Sequence, residues 1–198
     1  CFGQKIPIQA IQAVPLGGLN VHPSLLPRWR GADPVPWAIL SGDAQTGVSV
    51  VTLSEKFDEG TIIAQKKIPI TDKDFSDPLR TKLFAIGADL LVSTLPSLSA
   101  SKGALKGSPN HEEPYARRLT RDDGFESWQT IQNAMNNPEE AKRIDRKFRA
   151  LDPWPGLWSK FGDKRIKIIS CHMMPHLILD TVQLEGKKPV SWKQFFSP

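Results

Sequence analysis

An α/β unit followed by a β unit is the fold class this sequence predicts, and three observations carry it. Two runs rich in β-branched residues, 46–53 and 61–70, lie among helical patterns at 32–40 and 76–98. Residues 97–114 then shift to Ser, Gly, Lys, Asn and Pro, the composition of an exposed linker. Beyond the linker, short strand-like runs separated by turns are most economically arranged as a small barrel. The length, 198 residues, holds one full domain or two small ones. The expected division is 1–98, a linker over 99–114, and 115–198.

In chain order, Ile8, Ile11 and Val14 recur at three-residue spacing like one short helix between Pro7 and Pro15. Leu19 to His22 reads as a short strand ended by Pro23, which has no N–H to give a ladder. The pattern from Ala32 to Leu40 predicts a helix with prolines at its start and Ser41-Gly42-Asp43 at its end. Thr46–Leu53 and Thr61–Ile70 are strands about a polar turn, Glu55–Gly60, that contains Asp58. Asp77 is a candidate N-cap with Pro78 at the first helical position, and Leu79, Leu83, Ile86, Leu90, Thr94 and Leu98 form one apolar stripe of a long helix. Pro138–Leu151 is a basic helix whose Ile144, Phe148 and Leu151 face inward, stopped by Asp152-Pro153-Trp154-Pro155-Gly156. Strands follow at Leu157–Phe161, Arg165–Cys171, Leu177–Leu184 and around Val190 and Trp192.

Composition narrows the function classes. No apolar run approaches the roughly 20 residues that span a bilayer, so no membrane association is expected. Cys1 and Cys171 have neither the spacing of a disulfide framework nor that of a zinc site. Pro175 interrupts the group Cys171, His172 and His176, which reads as partly buried strand residues. Glu185-Gly186-Lys187-Lys188 lacks the spacing of a phosphate loop. The formal charge of +5 is uneven: residues 1–114 hold 11 Lys and Arg against 11 Asp and Glu, and residues 115–198 hold 15 against 10. All the excess lies in the second part, where a polyanion would be attracted.

The chemistry concentrates in residues 17–31. In a strand, residues two apart share a face, so Asn20 and His22 project together while Val21 faces the core. An amide N–H donates without titrating, and an imidazole stabilises an oxyanion as a cation or moves a proton near neutral pH, a pairing suited to chemistry at a carbonyl. Pro23 and Pro27 stiffen the loop that follows, Arg28, Trp29 and Arg30 flank it, and Gly31 permits a turn or a close backbone approach.

The run Asn20-Val21-His22-Pro23-Ser24-Leu25-Leu26-Pro27, with Gly31 four residues on, resembles the signature of the folate-dependent formyltransferases. Tyr115–Thr120, Phe125–Trp128, Asp152–Gly156 and Val182–Lys188 are similar in order and spacing to the C-terminal domain of the methionyl-tRNA formyltransferases within that superfamily. The resemblance implies the C-terminal portion of a doubly wound formyltransferase domain followed by an OB-like barrel that binds tRNA. It also implies a chain truncated at its N-terminus relative to the family.

The same resemblance implies a catalytic trio of Asn20, His22 and Asp58, although the residues alone do not distinguish Asp58 from Asp43 or Asp72. Ser24, Leu25, Leu26 and Pro27 match the stretch that lines the folate site. The implied reaction moves a formyl group from 10-formyltetrahydrofolate to the methionine amine of initiator methionyl-tRNA, without a metal, in a monomer. For the tRNA body the candidates are Arg143, Arg146 and Lys147 on the basic helix, and Lys164 and Arg165 on the barrel. Rival readings are another acceptor within the superfamily, or an inactive RNA-binding remnant. The lysine-rich character gives the mitochondrial matrix as the expected compartment, with bacterial cytoplasm as the alternative.

Overall fold

The computed structural model of the protein describes residues 6–14, 17–100 and 114–195; the expected linker at 99–114 lies almost wholly outside them. Two compact units divide after Arg118.

In the first unit, a short helix α1 (Ile8–Gln12) precedes β1 (Leu19–His22), the two-residue β2 (Arg30–Gly31) and α2 (Pro34–Ser41). β3 (Gln45–Thr52), β4 (Ile62–Pro69) and the long α3 (Ser76–Ala100) follow. The sheet runs β1-β3-β4, antiparallel throughout, so it lacks the parallel strands that a doubly wound sheet is mainly built from. For the β3–β4 pair the physical reason is the connection, a nine-residue loop, 53–61, too short for the crossover that parallel neighbours need.

β3 is the central strand and is buried from Thr46 to Val51. Its two faces differ. Val48 lies with Val21 beneath α3, where Gly87 lets the helix approach so closely that a Cβ there would stand 2.4 Å from Val21 Cγ1 and 2.8 Å from Val48 Cγ2. Ser49 and Val51 lie opposite, paired in register with His22 and Asn20. The stripe on α3 is buried at Leu79 and Leu83 and half-buried at Ile86, Leu90 and Thr94. The helix begins at Ser76, so Asp77 sits inside its first turn rather than capping it. Asp77 still favours the N-terminal end of the helix dipole there. Among the described residues no helix is long and apolar enough to cross a membrane.

Residues 115–118, expected to open the second unit, close the first. β5 (Tyr115–Ala116) pairs in parallel with β2, and Trp37 Nε1 donates to Arg117 O at 2.8 Å. Gly31, at φ 112, is the residue this pairing requires, because a Cβ would meet Ala116 O at 2.5 Å.

The second unit opens with a 3-10 turn (Arg121–Gly124) and α4 (Trp128–Ala134), a helix the apolar pattern does not announce. Ser127 caps α4 by accepting from Thr130 N–H. α5 (Pro138–Leu151) has the expected limits; Asn137 caps it and Ala141, Ile144 and Phe148 are buried. β6 (Leu157–Phe161), β7 (Lys164–Met173), β8 (Leu177–Leu184) and β9 (Val190–Ser191) form a four-stranded antiparallel sheet in that order. It is an open sheet among the described residues, not the closed barrel expected: no pairing joins β6 to β9. Trp192–Phe195, expected as part of a strand, forms the short helix α6, in which Trp192 and Phe195 stack at 5.6 Å.

Candidate active site

The register of β1 on β3 turns Asn20 and His22 to the face away from α3, and the loop 23–31 folds over that face. Ser49 holds the loop down. Its hydroxyl donates to Ser24 O at 2.6 Å and accepts from Leu26 N–H at 3.1 Å and from Gln65 Nε2 at 2.8 Å. Gln65 Nε2 also donates to Leu26 O at 2.9 Å. A buried hydroxyl satisfied on every side costs little and specifies one loop geometry.

Trp29 adopts φ 62, an unusual backbone for a bulky side chain, and its surroundings account for it. Its indole Nε1 donates to Asp43 Oδ2 at 2.6 Å, its ring stacks on Trp37 at 6.4 Å, and the Arg28 guanidinium lies 4.6 Å above it. Arg28 completes the set with a two-pronged pairing to Asp43, at 2.9 and 2.8 Å. Burial works to raise the Asp43 carboxyl, but the hydrogen bonds from Arg28 and Trp29 and the charge of Arg28 outweigh it and hold the group below its ordinary value. This strained turn aims the Trp29 carbonyl at His22, whose Nε2 donates to it at 2.9 Å.

Asp58 is the point of convergence. Its Oδ1 accepts from Asn20 Nδ2 at 3.2 Å and lies 3.5 Å from His22 Nδ1, while Oδ2 accepts from Gly31 N–H at 2.9 Å. Both imidazole nitrogens therefore face oxygen atoms, the Trp29 carbonyl and the Asp58 carboxylate. Asp58 sits at φ 55, a conformation that Asp tolerates better than most residues. The neighbouring backbone is pinned to β3: Thr52 N–H donates to Thr61 O at 2.9 Å, and a Cβ on Gly60 would stand 1.7 Å from Thr52 O. Arg30 Nη1 pairs with Glu59 at 2.9 Å and ties the same corner to the 28–31 turn.

Asn20 and Asp58 border a cavity of about 270 Å³ whose other walls include Ile11, Leu19, Val51, Leu53 and Phe57. Asn20 Nδ2 carries two N–H groups and spends one on Asp58, leaving the second for a ligand. The arrangement can hold a carbonyl oxygen as it gains charge and can take a proton beside it.

The four residues matched to a folate site divide. Ser24 is fully buried, with its hydroxyl on Arg28 O at 2.7 Å, and Leu26 is buried as well. Leu25 packs on Gly47, and only Leu25 and Pro27 keep appreciable surface. None of the four lines the cavity beside Asn20. Ser49, Gln65 and the cavity wall at 51–57 went unnoticed in the sequence. The one available signal was two polar side chains, Ser49 and Gln65, inside runs of strand residues.

In the second unit the structure separates the RNA candidates. Arg143 makes a forked pairing with Glu126, at 2.8 and 3.1 Å, and a further bond to Glu140. Lys147 donates to Glu126 at 2.8 Å and to Phe125 O. The hydrogen bond to Glu126 raises the Arg143 pKa further above its ordinary value, and Glu126 lies below its own because these bonds and charges outweigh burial. Arg143 and Lys147 thus tie α5 to the Phe125–Glu126 segment. Arg146 buries its Nε with no hydrogen-bond partner. Lys164 is exposed at the start of β7; the Arg165 guanidinium lies 3.8 Å from Glu185, whose Oε2 also accepts from the Arg165 backbone N–H at 3.3 Å. Cys171 is pushed up to about 12, chiefly by burial and then by Asp145, Asp180 and Asp152, and His172 pairs with Asp180 at 2.9 Å.

The model of the formyl transferase family matches residues 1–95, and that of the formyl transferase C-terminal domain matches residues 136–177. The chain is 38% identical over 175 residues to the methionyl-tRNA formyltransferase of Roseiflexus sp. (strain RS-1), covering 87% of this chain and 50% of that protein. It is 33% identical to the methionyl-tRNA formyltransferase of Thermodesulfovibrio yellowstonii, covering 99% of this chain and 68% of that one. The chain thus spans about half to two thirds of the length of these relatives. HypX from Aquifex aeolicus, in complex with tetrahydrofolic acid, shares the fold with a TM-score of 0.67 at 17% identity, covering 98% of this chain and 37% of that one.

Proposed function

Because this chain belongs to the formyl transferase family, we propose that it serves the transfer of a formyl group from 10-formyltetrahydrofolate to the methionine amine of initiator methionyl-tRNA. The observation that carries the chemistry is the convergence of Asn20 and His22 on one carboxylate oxygen of Asp58 beside a cavity of mixed apolar and polar walls. The choice of acceptor is supported by the relatives, which are methionyl-tRNA formyltransferases.

The amine nitrogen bonds to the formyl carbon, the bond from that carbon to N10 of the donor breaks, and one proton passes from the amine to N10. The protein's part follows from the geometry. Asn20 offers its second amide N–H to the formyl oxygen as charge develops there. His22 is held at Nε2 by the Trp29 carbonyl, but its Nδ1 contact with Asp58, at 3.5 Å, is too long for a strong bond. That N–H is the loosest donor in the site and turns to the same oxygen. Asp58, stabilised by the Gly31 N–H, accepts the amine proton. The donor's pterin end packs in the cavity near Leu53 and Phe57, with Leu25 and Pro27 as outlying contacts. The second unit, read as an OB-like sheet, takes the tRNA body.

The test is transfer of radiolabelled formyl from 10-formyltetrahydrofolate to methionyl initiator tRNA by the full chain, with His22→Ala as control. Label on the methionine that disappears in the variant is the expected result. Label delivered only to an amino sugar or to water, or transfer unchanged in His22→Ala, overturns the reading.

A further inference from the structure

Away from the trio, a cleft of about 280 Å³ opens in the second unit between the 3-10 turn, the 153–156 loop and the β7 and β8 strands. Its chemistry differs from the rest of that surface. Arg121, Arg165 and Lys167 line it together with the indoles of Trp154 and Trp158, against a single carboxylate, Glu185. Glu185 Oε2 accepts from the Arg165 backbone N–H at 3.3 Å, but the Arg165 guanidinium stands 3.8 Å from Oε1 with the side chains 42% and 55% exposed, a charge contact weak enough to be exchanged for a ligand anion. Trp154 is 57% exposed, an unusual placement for the largest aromatic side chain.

The cleft is also preformed. Gly124 and Gly156 approach so closely that a Cβ on Gly124 would lie 2.0 Å from Gly156 O, and a Cβ on Gly156 would lie 2.7 Å from Lys167 Cε. Trp158 Nε1 donates to Arg121 O at 2.9 Å, which fixes the turn that carries Arg121. Aromatic faces and cations set in a rigid cleft are what an unstacked base and its phosphates require, and duplex RNA offers no such free base.

We propose that this cleft holds one unpaired nucleotide of an RNA strand, its base stacked on Trp154 and its flanking phosphates held by Arg121, Arg165 and Lys167. The choice of RNA rests on the acceptor proposed above. The cleft also offers a second basic site beside Arg143 and Lys147, which pair with Glu126.

The test is fluorescence anisotropy of the full chain with a short labelled single-stranded RNA, the same strand in a duplex, and adenosine monophosphate as competitor. Trp154→Ala is expected to weaken single-strand affinity about fivefold or more, the lower range for stacking one base on an aromatic ring, and to leave duplex affinity unchanged. Trp154→Phe restores most of the loss. Lys167→Gln makes the slope of log affinity against log salt shallower by about 0.7. Unchanged thermal melting of each variant is the folding control. No binding of the single strand, no effect of Trp154→Ala, or equal weakening of strand and duplex overturns the proposal. Full competition by the monophosphate at the concentrations where the RNA itself binds also overturns it, in favour of a free-nucleotide site. Formyl transfer is not part of the readout, so failure here leaves the transfer reading standing, and an inactive chain leaves this measurement intact.

Discussion

Replacing Asp58 by Asn separates the site's chemistry from its architecture. All three groups facing the carboxylate are donors: Gly31 N–H at 2.9 Å, Asn20 Nδ2 at 3.2 Å and His22 Nδ1 at 3.5 Å. An Asn side chain has one oxygen and one NH2. Its oxygen can keep the bond to Gly31, and its NH2 then faces Asn20 and His22. Asn20 accommodates this by turning its own amide, and His22 through the tautomer whose proton is on Nε2, facing Trp29 O. The fold therefore loses only the charge assistance of about three contacts, a cost of roughly 1–2 kcal/mol. Asp58→Ala is worse. It orphans the Gly31 N–H, about 1–3 kcal/mol, and it places a residue with no local hydrogen bonding at φ 55, about 1 kcal/mol more. Urea denaturation should thus rank the three proteins wild type, Asp58→Asn, Asp58→Ala. Rates should rank differently. The lost proton acceptor is expected to lower single-turnover formyl transfer by about 10²- to 10³-fold in Asp58→Asn already, the usual effect of removing one such group. A folded Asp58→Asn protein that transfers within threefold of wild type would falsify the role given to this carboxylate.

Three further outcomes follow from the packing and the charges. Gly87→Ala gains about 1 kcal/mol of helix propensity but forces a methyl onto Val21 and the buried Val48, an overpacking worth about 1–3 kcal/mol, so denaturation should show a net loss; a stabilised variant would mean that α3 does not press on the sheet at this point. Glu126 has its folded pKa below its ordinary 4.5, so its contribution is fully present above that pH and is lost as pH falls below it; melting of the second unit should drop in that window, and Glu126→Gln, which strands Arg143 and Lys147, should flatten the drop while lowering stability at pH 7 by about 1–3 kcal/mol. Cys171, at about 12, should resist iodoacetamide at pH 8 in the folded protein and react once it is unfolded, as read by peptide-resolved mass spectrometry; rapid native labelling would contradict its burial.

Much of the molecule was legible in local sequence, because helices and strands are set by nearby side chains. The limits of α5, β6 and β8 follow from periodicity, caps and turn residues within each segment. The shared face of Asn20 and His22 follows from the two-residue repeat of a strand, and the need for Gly31 follows from the close approach that only Gly permits. Helix α4 escaped because its seven residues are held by tertiary contact with α5 and a Ser127 cap, and they carry no long apolar stripe.

Tertiary structure decided the rest. Asp58 stands 38 residues from Asn20, and nothing within its own turn distinguishes it from Asp43, which serves Arg28 and Trp29 instead. The antiparallel register of β1 on β3, with the loop pinned by Thr52 and Gly60, brings the right carboxylate to the pair. Likewise the composition of α5 announced cations, but only the fold shows that two of them pair with Glu126, while Arg121 of the 3-10 turn and Arg165 and Lys167 of β7 line one cleft with Trp154. The sequence by itself determined which side chains could do this chemistry. Which of them meet is a matter of strand register and loop closure over tens of residues, where a charge's role is set by its nearest partner in space and not by its neighbours along the chain.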